Sequence, residues 1–135
     1  MLKITNLQKT FNPGTVNAKT ALNSLNLHIK DGDFVTVIGG NGAGKSTLLN
    51  AIAGVWKPDS GTIEIDGVDV TGMPEHKRAQ FLGRVFQDPM KGTAPDMEIA
   101  ENLHIASMRG KKRKLIRGVK KSDRAYFREL LKTLD

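Results

Sequence analysis

The residues with the most evident chemistry form a glycine-rich stretch, Gly39 to Ser46, whose spacing is G-x-x-x-x-G-K-S. Glycines lack a Cβ atom, so the backbone can curl around a phosphate and point consecutive N–H groups at it. Lys45 can then reach the β- and γ-phosphates of a nucleotide, and the Ser46 hydroxyl can ligate a Mg²⁺ ion that bridges them. A turn without a ligand is the alternative, although the pattern arises by chance in well under about one in a hundred chains of this length. We therefore predict a nucleotide-phosphate site.

The sequence on either side of this loop predicts the elements that would position it. Phe34 to Ile38 is a continuous apolar run rich in β-branched residues, which is typical of a central strand covered on both faces. Ser46 to Ala53 predicts a helix that ends at Gly54. The positive end of the helix dipole would then face the bound anion.

The rest of the first ninety residues alternates strands and turns. Leu2 to Phe11 and Leu25 to Ile29 predict half-buried strands, and Asp31-Gly32 predicts a hairpin turn after the second of them. A second hairpin is expected around Asp66-Gly67, between Thr62 and Val70. We also expect a short helix from Pro74 to Phe81 and a buried strand at Arg84 to Phe86.

Beyond Pro95 the apolar spacing is helical only. One helix is expected to end near Met108. Another is expected to have Ser122 as its candidate N-cap and to carry Phe127, Leu130, Leu131 and Leu134 on one face. Between these helices, Arg109 to Lys121 is densely basic. A solvated connection is the simplest interpretation of this basic segment. Contact with anionic lipid headgroups is an alternative, whereas nucleic-acid binding is disfavoured because the segment holds no aromatic residue.

Composition excludes several classes of function. The 135 residues include no cysteine, which rules out disulfides, thiolate metal sites and a cysteine nucleophile. The net charge is +7, and residues 91 to 135 carry six of these charges, since they hold twelve basic and six acidic residues. No uncharged apolar stretch approaches the ~18 residues of a membrane span. We therefore expect a soluble chain whose only membrane association is peripheral.

Several of these features together resemble the ATP-binding subunit of ATP-binding cassette (ABC) transporters. One departure is Gly40, which takes a loop position often filled by proline or another residue in that family. The resemblance rests on four stretches in order: Leu22 to Gly32 followed by Phe34 to Ile38, Gly44 to Leu49, Lys57 to Gly61 with the following hairpin, and Val85-Phe86-Gln87-Asp88-Pro89.

The resemblance implies the roles of individual residues. Phe11 would stack on adenine, whereas spacing alone would make it an ordinary core aromatic. Gln87 would contact Mg²⁺ and the attacking water, and Lys45 would join it in catalysis, with Ser46 as the other metal ligand. Asn41 and Ala43 are spacers whose side chains have no specific role. The ATP-binding loop would comprise Gly39, Gly40, Asn41, Gly42, Ala43, Gly44, Lys45, Ser46 and Thr47.

The resemblance also implies the fold and the partners. We expect an α/β P-loop NTPase of the ABC ATPase type, with a mixed sheet, an antiparallel amino-terminal part and the start of a helical subdomain. Residues 1–88 would form the nucleotide-binding core and residues 89–135 the beginning of the helical subdomain. The expected cofactors are ATP and Mg²⁺. The expected partners are transmembrane permease subunits, a second ATP-binding subunit and, indirectly, an extracytoplasmic solute-binding protein, with no specific nucleic acid, at the cytoplasmic face of the membrane.

Several elements of a complete ABC ATPase are missing from these 135 residues. There is no acidic strand end, no adjacent catalytic glutamate, no switch histidine and no Leu-Ser-Gly-Gly-Gln-like signature. We therefore expect an incomplete domain that binds Mg²⁺-ATP and does not hydrolyse it alone. A short stretch, Gln87 to Pro95, faintly resembles uptake ATPases for aromatic amino acids or similar small solutes.

Three alternatives remain open at this point. A small P-loop kinase or GTPase would share the loop, although the guanine-reading Asn-Lys-x-Asp string is absent. A non-transport ABC ATPase acting on ribosomes or DNA is supported only by the basic segment. A nucleotide-binding module without turnover fits the missing elements directly.

Overall fold

A computed structural model describes residues 1–111 and 118–134. The chain divides into two compact units, Met1–Leu82 and Gly83–Asp135. The centre of the basic segment, residues 112–117, lies outside the described residues, so the interpretations of that segment remain predictions.

The first unit is built on a four-stranded antiparallel sheet. Its strands are β1 (Leu2–Phe11), β2 (Lys19–Ile29), β3 (Ser60–Ile65) and β4 (Val68–Asp69), in the order β2-β1-β3-β4. The predicted strand from Leu2 to Phe11 is confirmed. The hairpin around Asp66-Gly67 is also confirmed, with Asp66 at a φ of 50° and Gly67 at 76°.

A β-bulge in β1 explains why its apolar residues alternate only in part. Asn6 adopts a φ of 47°, and the pairing of β1 with β2 shifts between Ile4 and Leu7. Asn26 accepts a hydrogen bond from the Asn6 backbone N–H at 2.8 Å and donates one to its side-chain oxygen at 3.0 Å. The extra residue lets Ile4 and Leu7, three positions apart, both point into the core.

One helix closes the core of the sheet and carries the phosphate loop at its start. Helix α1 spans Lys45–Ala53 and ends at Gly54, which adopts a φ of 88°, as the sequence predicted. Because α1 buries Leu48 and Ala51 against the sheet, its N-terminus is held in a fixed position. The core consists of Ile4, Leu7, Leu22, Leu48, Ala51, Ile63, Ile65 and Val70.

A buried arginine holds the other end of α1. Arg78 ends the short helix α2 (Glu75–Arg78) and is only 1% exposed. Its guanidinium donates to the carbonyl oxygens of Ala51 at 2.6 Å and Ile52 at 2.8 Å, and also to those of Thr71 and Met73. These carbonyls belong to the last turn of α1 and to the connection from β4, so one side chain links the two.

Two predicted strands are wrong. Residues 33–40 and 82–86 form no strand, and Phe34 and Val85 are 95% and 98% exposed. A strand exists only through hydrogen bonds to a neighbour. Among residues 1–111 and 118–134, no strand pairs with either segment. The Asp31-Gly32 turn is present, but no hairpin follows it, because its second arm is Phe34 to Ile38.

The second unit is helical in its described residues. A 3-10 turn at Pro89–Gly92 precedes α3 (Ile99–Ser107), and α4 (Lys121–Leu131) is followed by a 3-10 turn at Lys132–Leu134. Arg124 on α4 donates to the Glu98 carboxylate before α3 at 2.8 Å.

The predicted N-cap of α4 needs correction. Lys120, not Ser122, is the N-cap, because the Asp123 carboxylate accepts from the Lys120 backbone N–H at 3.0 Å and fixes the first turn there. Of the expected apolar face only Phe127 is buried, whereas Leu130, Leu131 and Leu134 are exposed.

Candidate nucleotide-binding site

The phosphate loop joins residues 33–38, which form no strand, to α1 through two left-handed glycines. Gly42 has a φ of 79° and Gly44 a φ of 87°. A Cβ atom on Gly44 would lie 2.3 Å from the Ala21 carbonyl oxygen on β2. The loop therefore packs against β2 at a distance that only glycine permits.

Lys45 folds back over the beginning of the loop. Its ammonium donates to the carbonyl oxygens of Gly39 and Gly40, the latter at 2.7 Å. The Ala43 N–H donates to the same Gly40 oxygen at 3.3 Å and closes the turn. A Cβ atom on Gly39 would lie 3.1 Å from that of Ala43. The loop is thus a narrow backbone cradle with a cation at its first two residues, which suits a phosphate.

The start of α1 leaves the backbone N–H donors of its first turn available. The Gly44 cap provides no side-chain acceptor, and the first turn contains no acidic residue. The N–H groups of that turn and the positive end of the helix dipole are therefore not neutralised by the helix itself. Ser46 is exposed in this turn and Thr47 is half-buried. This arrangement is electrostatically suited to an anion at the start of α1.

A metal ion at this site would depend on few protein ligands. Within residues 1–111 and 118–134, no three His, Cys, Asp or Glu side chains are grouped to hold a metal. The Ser46 hydroxyl is a suitable oxygen ligand for Mg²⁺, which usually retains waters and takes further oxygens from nucleotide phosphates. The loop residues therefore fit Mg²⁺ together with a nucleotide.

The predicted Gln87 lies in the second unit. It is exposed, immediately before the 3-10 turn at Pro89–Gly92, where Asp88 accepts from the Met90 N–H at 3.0 Å. The expected boundary at residue 88 would place Gln87 with the nucleotide-binding core. Its role beside Mg²⁺ remains a prediction.

Phe11 stands at the end of β1 and is half-buried. Its ring contacts the Trp56 ring edge to face, with centroids 5.5 Å apart and planes at 83°. Trp56 follows α1, so this contact joins the sheet to the end of the helix. Trp56 therefore packs against Phe11. Stacking of Phe11 on adenine remains a prediction.

An acidic residue that sequence analysis missed fixes the backbone beside Phe11. Asp59 accepts from the Lys9 ammonium at 2.8 Å and from the Thr10 N–H at 2.6 Å. The Lys9 hydrogen bond, aided by the Thr10 N–H, holds the pKa of Asp59 below its usual value. In the sequence, the position of Asp59 within the Lys57 to Gly61 stretch was the only indication of a role for this residue.

The cradle at the start of α1, with an antiparallel sheet beside it, defines a P-loop nucleotide-binding domain of the ABC ATPase type. Residues 22–135 match the family model described as ABC transporter. The chain belongs to this family. No helix in the described part of the chain is long and apolar enough to cross a membrane.

Two curated relatives are ATP-binding proteins of import or transport systems. The chain is 48% identical over 111 residues to the tyrosine transport ATP-binding protein of Clostridioides difficile (strain R20291), an alignment that covers 82% of this chain and 44% of the relative. It is 35% identical over 132 residues to the ribose import ATP-binding protein RbsA of Ruegeria sp. (strain TM1040), which covers 96% of this chain and 25% of that protein. The chain thus spans less than half the length of these relatives.

A solved cassette confirms the fold class. A dimeric ATP-binding cassette in a post-hydrolysis state, bound to ADP and Pi, superposes with a TM-score of 0.75 at 32% identity, covering 98% of this chain and 56% of that one. The expected ABC ATPase fold is therefore correct, although the two predicted strands on which a mixed sheet depends are not formed.

Proposed function

We propose that the chain binds Mg²⁺-ATP through residues Gly39 to Thr47, as the nucleotide-binding part of a subunit that powers solute uptake. The observation that carries this proposal is the cradle at α1, where Lys45 lies against the carbonyls of Gly39 and Gly40 and no acidic residue neutralises the helix start. Bound nucleotide would supply the triphosphate whose charge these groups compensate.

Titration with a fluorescent ATP analogue tests the binding claim. Lys45→Ala removes the cation of the loop and is expected to weaken binding at least about tenfold, because charge-assisted hydrogen bonds are the strong ones. Lys57→Ala is the matched control, since Lys57 is an exposed lysine just after α1. Equal affinity of Lys45→Ala and the unsubstituted protein would contradict the proposal.

In a complete subunit, we assign catalytic roles to Lys45 and Gln87 and Mg²⁺ contacts to Ser46 and Gln87. Residues 1–135 contain neither the signature nor a catalytic glutamate after an apolar strand. We therefore expect this chain alone to bind ATP without releasing phosphate. A phosphate-release assay with the isolated chain checks this, and sustained turnover that Lys45→Ala abolishes would contradict it.

The relatives support the proposed partners and substrate. Their names describe transport of tyrosine and import of ribose, and the cassette with ADP and Pi is dimeric. We assign to the complete subunit a second ATP-binding subunit, transmembrane permease subunits at the cytoplasmic face of the membrane and, through them, a solute-binding protein. An aromatic amino acid is the proposed solute. Co-purification with membrane subunits supports this assignment, whereas co-purification with nucleic acid would support the non-transport alternative.

A further inference from the structure

A second lysine, Lys19, lies at the phosphate loop. A Cβ atom built on Gly42 would lie 2.9 Å from the Lys19 ammonium nitrogen. Gly42 is the middle of the loop, so the ammonium stands directly over the backbone that forms the predicted cradle. We infer that Lys19 contacts a phosphate oxygen of the bound nucleotide, an inference that rests on the proposed function.

The position of Lys19 is fixed by the sheet. Lys19 is the first residue of β2, and it pairs in register with Phe11, the last residue of β1. Two residues further along β2, the Ala21 carbonyl oxygen packs against Gly44, which follows Gly42 by two residues in the loop. Strand pairing on one side and this close packing on the other hold the start of β2 against the loop.

This placement puts Lys19 between the two predicted ends of the nucleotide site. Phe11, its strand partner, is the predicted contact of the adenine, and the loop is the predicted contact of the phosphates. An ammonium there is suited to an anionic oxygen, because lysine offers three donors and one positive charge.

The Lys19 ammonium has no other bonding partner in the part of the chain that the structure describes. It is exposed, and no hydrogen bond or ion pair joins it to any of residues 1–111 and 118–134. The carboxylate of Asp59 is engaged by Lys9 and the Thr10 N–H. A free cation over an anion cradle contributes attraction without first breaking a bond.

The test compares Lys19→Met, which keeps the length of the side chain but removes its charge, with Lys19→Arg, which keeps the charge. ATP, ADP and adenosine each displace a fluorescent ATP analogue. Lys19→Met is expected to weaken ATP and ADP about five- to tenfold, to leave adenosine unchanged and to reduce the salt dependence of ATP binding. Lys19→Arg is expected to restore most of the affinity.

Lys3→Met is the matched control, because Lys3 is an exposed lysine on the neighbouring strand, eight residues from Phe11 and roughly 26 Å away at ~3.3 Å per residue. Urea unfolding verifies that all variants fold alike. Unchanged ATP affinity in Lys19→Met, or an equal loss for adenosine, would overturn the inference while binding that depends on Lys45 stands. Absence of ATP binding by the unsubstituted protein would overturn the proposed function itself, and the inference with it.

Discussion

The guanidinium of Arg78 lies 2.6 Å from the carbonyl oxygen of Ala51, in the last turn of the helix whose first turn carries the phosphate loop. Burial lowers the pKa of Arg78, and the charge of Asp69 opposes that change. The arginine donates to carbonyls in the last turn of the helix, where intrahelical donors run out, and it adds to the Gly54 N–H that already reaches the Ala51 oxygen at 3.2 Å. Arg78 is thus a positioning residue for the loop, through α1 and at its opposite end.

Replacing Arg78 with methionine should destabilise the first unit. The change removes the donor to the part-buried carbonyls of Ile52, Thr71 and Met73, at a cost of about 1–3 kcal/mol for each group left unsatisfied, whereas the Ala51 carbonyl keeps the Gly54 N–H. We expect the free energy of unfolding, measured by urea titration, to fall by about 3 kcal/mol or more. The control is Lys77→Met at the exposed neighbouring position, which should change stability little. Equal stabilities of the two variants would contradict the capping role of Arg78.

Gly44→Ala should damage both the fold and the site. Alanine at a φ of 87° is strained, and its Cβ would meet the Ala21 carbonyl oxygen. We expect a stability loss of about 1 kcal/mol or more, with ATP binding at least tenfold weaker. Gly72→Ala is the control, because a Cβ there meets nothing within 4 Å. If Gly44→Ala bound ATP as well as the control, the tight packing of the loop on β2 would not matter for the site.

Phe11→Ala should weaken nucleotide binding whichever purine is used. Stacking on an aromatic ring contributes ~1–3 kcal/mol per base, and a ring face does not read the hydrogen-bonding edge of the purine. Competition titrations with ATP and GTP are therefore expected to show similar losses of about tenfold or more. Phe11→Tyr should retain the affinity. A loss confined to ATP would instead indicate edge recognition by another residue.

The free energy of unfolding should decrease at acidic pH because Asp59 becomes protonated. Its folded-state pKa is lowered, chiefly by the Lys9 hydrogen bond, so its contribution is complete above the unfolded pKa of about 3.9 and is lost as the pH falls through the folded value. Urea unfolding at about pH 6 and about pH 3 measures the decrease. Asp59→Asn should show a smaller decrease than the unsubstituted protein. The same decrease in both would mean that other carboxylates account for it.

Local signals in the sequence predicted the loop, α1 and the hairpin at Asp66-Gly67. Each depends on turn chemistry within a few residues, such as the left-handed glycines at 44 and 54. The strands expected at Phe34 to Ile38 and Arg84 to Phe86 failed for the opposite reason. A strand needs hydrogen bonds from a neighbour, and an apolar run carries no information about whether that neighbour is present.

Arg78 and Lys19 could not be found from the sequence. Arg78 acts on carbonyls 26 and 27 positions earlier in the chain. Lys19 reaches the loop only because β2 pairs with β1 and packs against Gly44. From the sequence alone, an isolated charged residue cannot be distinguished from an ordinary surface residue. Only the fold shows which groups it contacts.

The most direct test of the account is an amide chemical-shift titration of the isotopically labelled chain with ATP and Mg²⁺. We predict that the largest shifts fall on residues 39–47, with smaller ones at Phe11 and Lys19, and that Lys45→Ala suppresses all of them. Shifts concentrated elsewhere, or a pattern that Lys45→Ala leaves intact, would contradict nucleotide binding at this loop.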